Sequence, residues 1–378
     1  MSRKSTRITV RLNFILYAAL GLPDCIFGSA WPIIREDFSL NVELISVITS
    51  VSLLFSLLTN FLYIKFSKIE AHLFILWALL SLMIGLSLVA FAPNQWIFFA
   101  AIPFIGLGQG TIDVAVNSFV ASRYSSKVLN LVHAFFGFGV TVSSLLITLS
   151  IAVTQDYRLA ILAVLFIQGI VLLLFFPYRY LFRRKKKNAQ ALRIQIKLTL
   201  KNWLFPLFSF IYAAEQAIGI FLASYLVFRN YSAGAAAFIT SLFWLAIMFG
   251  RLISVRLSPF FGKKRLIQIH YILTLAGGLL FLFFPLLSAL LIGYGLAPLY
   301  PIFVEMPYSY FEQTKAARIV GLNVSAATFG ILVIPLCYAL TLQFTGLGFI
   351  PIIVLFNLIL LIGLGIFIQM SRDSSDIL

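Results

Sequence analysis

Long apolar runs separated by short polar stretches extend along the whole chain. A helix that spans the hydrocarbon core of a bilayer needs roughly 20 mostly apolar residues, and the sequence contains twelve such segments. They cover roughly residues 11–34, 43–65, 71–92, 96–122, 130–153, 158–181, 202–228, 234–257, 265–284, 286–309, 318–343 and 347–370. The pattern predicts an all-α integral membrane protein with twelve transmembrane helices.

A basic stretch, "RRKKKNAQALRIQIKLTLK", separates the first six segments from the last six. We therefore predict an N-terminal six-helix bundle over residues 1–182, a basic cytoplasmic linker over 183–201 and a C-terminal six-helix bundle over 202–378. The linker is mildly amphipathic, a composition typical of a helix that lies on the membrane surface.

The two halves carry short matching motifs at a constant spacing of 191 residues. "ITS" at residues 48–50 recurs at 239–241, and "FG" at 138–139 recurs at 329–330. Two pseudo-symmetric halves in the same orientation are typical of secondary transporters, whose solute site is expected at the interface between the halves. Glycines in the fourth and fifth segments are expected to allow close helix packing.

Composition and charge agree with this topology. Hydrophobic residues make up 61% of the chain and charged residues 11%, whereas a soluble domain is about one quarter charged. Of the 28 Lys and Arg, only Arg35, Arg158 and Arg229 fall in predicted outer loops, and we assign the other 25 to the tails and inner loops. The positive-inside rule then places both termini in the cytoplasm. The net charge of +16 thus needs no nucleic-acid partner, and its basic loops are expected to contact membrane lipid.

Three acids lie deep inside apolar segments: Asp24, Asp113 and Glu215. An ionised acid at mid-membrane costs about 2.5–3.5 kcal/mol or more, so such a group usually faces a cavity, pairs with another group or binds a proton. Asp24 and Glu215 are also 191 residues apart, which places them at equivalent depth in the two halves. We predict that all three acids handle protons. The alternative is a neutral acid that is hydrogen-bonded between helices.

Polar residues form a stripe in the fourth segment. Gln109, Asp113 and Asn117 stand at positions i, i+4 and i+8, on one face of a helix. His133, at the start of the fifth segment, is expected near Asp113 or Asn117 and is a candidate partner for the Asp113 proton. The alternative for His133 is a hydrogen bond to a carbonyl at a helix end.

Amide and aromatic side chains inside the spans suggest an uncharged polar solute. Gln109, Asn117, Gln216 and Asn323 are predicted to bind its hydroxyl groups, and Trp244 is predicted to stack on a sugar ring. No Lys or Arg within a span is expected to clamp an anionic solute, so an acidic solute is less favoured.

Six motifs resemble the major facilitator superfamily, and within it the fucose permease-like sugar–proton symporters and their bacterial relatives. They are "LPDCIFGSAWPIIREDF" from Leu22, "GLGQGTIDVAVNSFV" from Gly106, "NLVHAFFGFG" from Asn130, "YAAEQAIGIFLASYLV" from Tyr212, "SLFWLAIMFGRL" from Ser241 and "GLAPLYPIF" from Gly295. The resemblance implies a carrier of the bacterial inner membrane that alternates access to a central site. It also implies that Asp24 and Asp113 correspond to the two acids that handle proton and sugar.

The loops that gate such carriers depart from the family pattern. The loop after the second segment, "TNFLYIKFSKIEAH", lacks the usual glycine and acid, whereas the loop after the eighth keeps Gly250 and Arg251. We therefore predict that Gly250 and Arg251 contribute to gating.

The sequence favours a monomeric, proton-coupled secondary transporter of a small polar solute, and among such solutes a sugar or sugar-like compound. One alternative is a proton-driven efflux antiporter for drugs or amphiphiles, and another is a membrane sensor or scaffold that does not transport. An enzyme is not expected, because the sequence shows no pair of a nucleophile and a base. The spacing of the two Cys and three His residues predicts no metal site, and no cofactor is expected.

Overall fold

A computed structural model describes residues 3–66, 69–124, 126–182 and 199–373. Over these residues the chain is helical and contains no strand, which confirms the all-α prediction. The first half contains α1 (Arg3–Gly21), α2 (Ile26–Asp37), α3 (Leu44–Lys65), α4 (Ala71–Ala90), α5 (Gln95–Arg123), α6 (Ser126–Thr154) and α7 (Arg158–Phe175), which a 3₁₀ helix extends over Phe176–Phe182.

The second half has the same general sequence of long helices with more interruptions. It contains α8 (Leu200–Tyr212), α9 (Ala214–Phe228), α10 (Ala233–Phe261), α11 (Lys263–Leu280), α12 (Pro285–Leu296), α13 (Leu299–Glu305), α14 (Pro307–Tyr310), α15 (Gln313–Thr345), a 3₁₀ turn over Leu347–Phe349, and α16 (Ile350–Asp373). The surface helix predicted over 183–201 falls mainly on residues 183–198, which lie outside the described residues. Leu200 and Lys201 already belong to α8.

Eleven helical segments of the described chain are long and apolar enough to cross a membrane. They correspond to eleven of the twelve predicted spans. The ninth, predicted over 265–284, is the helix α11, which begins with three basic residues and is therefore less apolar than the others. The prediction of a multi-pass helical membrane protein is confirmed, and eleven of its twelve spans are supported by length and composition.

The described residues form two compact units. The first comprises those of Met1–Asn188 together with Asn230–Ser241, and the second comprises those of Ala189–Arg229 together with Leu242–Leu378. In the first unit α4 packs on α5, α3 on α5 and α1 on α6. In the second, α11 packs on α12 and α8 on α15.

The first and seventh spans are both broken beside their acid. In the first span α1 ends at Gly21 and α2 begins at Ile26, and the amide of Asp24 bonds to the carbonyl of Gly21. Pro23 within this gap has no N–H to continue a helix. In the seventh span α8 and α9 are separated by Ala213, whose amide bonds to the carbonyl of Phe210. Both breaks contain an i→i+3 backbone bond.

Glycines permit the same close helix pair in each unit. A Cβ atom at Gly139 of α6 would overlap the backbone carbonyl of Ala18 in α1. At the position 191 residues later, a Cβ at Gly330 of α15 would meet the carbonyl of Phe210 in α8. Small residues let helix backbones approach closely in lipid. The "FG" motifs of the repeat therefore mark equivalent contacts, α1 with α6 and α8 with α15.

Candidate functional site

The polar stripe predicted on the fourth span lies on α5, and its residues contact acids from two segments of the first unit. Gln109 faces the break between α1 and α2, whereas Asn117 lies beside Asp113, one turn earlier on α5. All three stripe residues are partly exposed. The three residues therefore lie on one face of α5, as their four-residue spacing predicts.

Asp113 is bound by two hydrogen-bond donors that carry no charge. The hydroxyl of Tyr17 in α1 donates to Asp113 Oδ1 at 2.7 Å. The Asn117 amide Nδ2 donates to the same oxygen at 2.9 Å. The amide oxygen of Asn117 is buried and has no partner among the described residues. The pair therefore retains an unused acceptor next to the carboxyl group.

His133, which was predicted to lie near Asp113, contacts Tyr17, a hydrogen-bond partner of that acid. Its imidazole meets the ring of Tyr17 edge-on, with the ring centroids 5.2 Å apart, and its side chain is exposed. Tyr17 therefore stands between His133 and Asp113. The predicted proximity is present, and the direct hydrogen-bond partner of Asp113 on α1 is Tyr17.

Tyr17 is a site residue that the sequence prediction missed. Its side chain is 1% exposed and donates to Asp113, 96 positions along the chain. A signal was available, because Tyr17 precedes Asp24 by seven residues and thus lies on the same face of the first span.

Asp24 occupies the break between α1 and α2, and its side chain is exposed. Gln109 Nε2 lies 3.5 Å from Asp24 Oδ1 and also 3.5 Å from the carbonyl oxygen of Leu20. These distances are long for hydrogen bonds, so the amide only loosely contacts the acid. The α5 stripe thus has Asp24 near its first residue and Asp113 within it.

Neither Asp24 nor Asp113 forms an ion pair with a Lys or Arg of the described chain, where three carboxylate ion pairs occur elsewhere. An acid in a membrane without a cationic partner is costly in its ionised form. Binding a proton removes that cost. The first unit therefore holds two acids, both joined to one polar helix face, that are chemically suited to exchange protons.

Glu215, at the start of α9, has a different environment. Its carboxylate Oε1 lies 3.2 Å from Nη2 of Arg251 in α10, and its side chain is 5% exposed against 37% for Arg251. Arg251 is ten residues from the end of α10 and within the candidate span Ala233–Ser254. Arg251 is therefore a basic residue within a span, and its guanidinium is already paired with Glu215.

Gly250 and Arg251, which the family pattern associates with the loop after the eighth span, lie inside α10 and within the predicted span 234–257. A Cβ atom at Gly250 would meet Cβ of Ala297, at 2.6 Å, and the backbone of Tyr294. Gly250 thus permits close contact of α10 with α12. Their predicted role in gating stays a prediction.

Three predicted solute-binding residues belong to the second unit. Gln216 is half-buried beside Glu215. Trp244 is 8% exposed, packs against Gly219 of α9, and its indole nitrogen lacks a partner in the described part of the chain. Asn323 is fully buried, and neither polar atom of its amide has a described partner. In this structure Gln216 is accessible to a solute, whereas Trp244 and Asn323 are covered.

Comparisons with known proteins agree with the helical architecture. The sequence profile of the Major Facilitator Superfamily matches residues 13–335. The glucose/mannose transporter GlcP of Bacillus subtilis (strain 168) is 24% identical over 363 residues, which cover 86% of this chain and 85% of that protein.

Solved structures of two transporters share the fold. A mutant of the nucleoside transporter NupG superposes with a TM-score of 0.74 at 13% identity, covering 96% of this chain and 99% of that one. A peptide transporter, POT, in complex with sulfate superposes with a TM-score of 0.71 at 12% identity, covering 95% of both chains. These two structures support the fold, and the profile match covers most of the sequence. The chain belongs to the Major Facilitator Superfamily.

Proposed function

We propose that this membrane transporter moves a small polar solute, a sugar or sugar-like compound, together with protons by alternating access. The observation that carries the proposal is the pair of acids at the α5 stripe, Asp113 within it and Asp24 beside Gln109, neither of which is paired with a Lys or Arg of the described chain. The similarity to a glucose/mannose transporter favours a sugar over other polar solutes.

Asp113 is the proposed principal proton site. Tyr17 and Asn117 both donate to one oxygen of its carboxyl group, which stabilises the ionised form after the proton leaves. Their contacts hold the carboxyl group in place in either protonation state. Asp24 is more exposed and is the proposed site of proton exchange with water. His133, edge-on to Tyr17, is proposed to modulate Asp113 through Tyr17.

The amides of the stripe are the proposed solute ligands of the first unit. Gln109 and Asn117 each have exposed surface, and amide groups can exchange hydrogen bonds with the hydroxyl groups of a solute. Gln216 is the accessible amide of the second unit. Trp244 and Asn323 are proposed to join the solute site only after helix movement exposes them.

Transport by purified protein in liposomes tests the proposal. With an inward proton gradient, we expect labelled D-glucose or D-mannose to accumulate above the outside concentration, and preloaded unlabelled sugar to accelerate entry by exchange. Gradient-driven export of a fluorescent cationic dye, without sugar flux, would instead support the efflux antiporter. An absence of saturable flux for any solute of a sugar, nucleoside and dye panel would support a sensor or scaffold.

The Tyr17 hydroxyl provides a first prediction. Tyr17→Phe keeps the ring and removes one donor to Asp113, and hydrogen bonds to charged groups contribute about 1.5–3 kcal/mol. We expect proton-driven uptake to fall about 10-fold or more, since 1.4 kcal/mol corresponds to a factor of ten. The matched control is Tyr157→Phe, because the buried Tyr157 hydroxyl has no hydrogen-bond partner in the described chain. Equal uptake by the Tyr17→Phe and Tyr157→Phe proteins would contradict the role of Tyr17.

A further inference from the structure

The ion pair of Glu215 and Arg251 joins two helices deep in the second unit. Glu215 Oε1 and Arg251 Nη2 are 3.2 Å apart, and the glutamate side chain is almost completely covered. On α10, Trp244 lies seven residues before Arg251, and on α9, Gly219 lies four residues after Glu215. The indole ring of Trp244 packs on Gly219. The described contacts of α9 with α10 therefore include one ion pair and one glycine–indole contact.

Arg251 cannot release its charge under physiological conditions, because a guanidinium keeps its proton in proteins. A neutral Glu215 would therefore leave the cation of Arg251, within a candidate membrane span, without its counter-ion, which is unfavourable. Asp24 and Asp113 differ in this respect, since neither is paired with Lys or Arg in the described chain. Asp24 and Glu215 occupy equivalent positions of the repeat but differ in their partners. Glu215 is paired with Arg251, whereas Asp24 is paired with no Lys or Arg of the described chain.

The guanidinium of Arg251 also donates a hydrogen bond to a backbone carbonyl at a helix break. The tenth span is interrupted between α12 and α13 at Ala297 and Pro298, and the last carbonyls of a helix have no partner within it. Arg251 Nε donates to the carbonyl oxygen of Ala297 at 3.3 Å. The Tyr212 hydroxyl donates to the carbonyl oxygen of Leu296 at 3.1 Å. Arg251 and Tyr212 therefore bring the break in the tenth span to the break in the seventh.

We propose that Glu215 carries no transported proton and that Arg251 is a positioning residue, which fastens the start of α9 to the break between α12 and α13. This assignment rests on the proposed function and restricts proton transport to the acids of the first unit. It differs from the expectation, drawn from the 191-residue repeat, that Asp24 and Glu215 share one role. Its physical basis is the permanent charge of Arg251, together with the contacts of Arg251 with Glu215 and with the carbonyl of Ala297.

Charge-matched variants test the assignment. We expect Glu215→Gln and Arg251→Met, made singly, each to lower the thermal unfolding temperature and to reduce both sugar exchange and proton-driven uptake more than 10-fold. The double variant removes both charges, so neither charge is left unpaired, and we expect it to regain thermal stability. It still lacks the Arg251 contact with the Ala297 carbonyl, so we expect exchange and uphill uptake to stay reduced by the same factor, to within about threefold.

The ratio of uphill uptake to exchange distinguishes positioning from proton transport. If Glu215 carries the proton, the double variant will exchange sugar but will not accumulate it, and the assignment is overturned. It is also overturned if the double variant is as unstable as the single ones, because charge imbalance is then not the cause. Arg251→Lys keeps the charge but not the fork of donors, and we expect intermediate activity with an unchanged ratio of uptake to exchange.

The thermal measurements keep this inference separate from the proposed function. If the wild-type protein transports no sugar, the proposed function fails, but the unfolding temperatures of the three variants still report on the ion pair. Recovery of stability in the double variant would then support the mutual pairing of the Glu215 and Arg251 charges. Additive destabilisation by the two substitutions would contradict it.

Discussion

Proton-driven sugar uptake is expected to fall by about 100-fold or more when Asp113 is replaced by Asn, a loss typical of removing a positioned proton-transfer group. The amide is close in shape to the acid and keeps an oxygen that can accept from Tyr17 and Asn117, whose donors now meet at Asp113 Oδ1. The variant is therefore expected to fold. Because it cannot release a proton, it should still exchange external for internal sugar but should not accumulate sugar against a gradient.

Uphill uptake and exchange must be measured on the same preparation of the Asp113→Asn protein. The matched control is Glu312→Gln, which neutralises an exposed acid just before α15. We expect the control to resemble wild type in both assays. Accumulation of sugar by Asp113→Asn at the wild-type level would show that Asp113 carries no essential proton, and the proposed site would be wrong.

The second large effect is expected at the contact of α1 with α6. Gly139→Val places side-chain atoms on the backbone carbonyl of Ala18, which cannot rotate away as a side chain can. Overpacking of a well-packed interface typically costs about 1–3 kcal/mol, and occasionally more. We expect at least the upper end of that range, seen as a large drop in the thermal unfolding temperature and in the yield of monodisperse protein.

Gly363→Val in α16 is the matched control, since no atom lies within 4 Å of a Cβ atom at this glycine. Both substitutions put the same β-branched residue into a helix, so the intrinsic helix propensity cancels. We also expect Gly330→Val, at the equivalent repeat position, to destabilise the second unit by the same backbone overlap. If Gly139→Val and Gly363→Val unfold at the same temperature, close packing at the α1–α6 contact does not stabilise the protein.

The sequence predicted the features that depend on local spacing. Gln109, Asp113 and Asn117 share a face because they are one turn apart on one helix. The spacing of 191 residues predicted that Asp24 and Glu215 occupy equivalent positions, and both indeed lie at a break in their span. Span lengths and the helical class follow from hydropathy, since a membrane admits few other structures than helices and closed barrels.

The partners of the acids could not be predicted in the same way. Tyr17 reaches Asp113 only because α1 packs beside α5, and Arg251 reaches Glu215 only because α9 and α10 are neighbours in this register. Both contacts depend on how helices distant in sequence are rotated about their axes. Equivalent positions in a repeat can thus differ in function when one of them acquires a charged partner.

The most direct test of proton coupling measures proton movement caused by the solute itself. Wild-type protein is reconstituted into liposomes that contain a pH-sensitive dye, without any initial pH gradient, and D-glucose or D-mannose is added outside. We predict that entry of the sugar acidifies the lumen, and that Asp113→Asn protein exchanges sugar without this acidification. Saturable sugar entry by the wild-type protein with no change in lumenal pH would contradict the account.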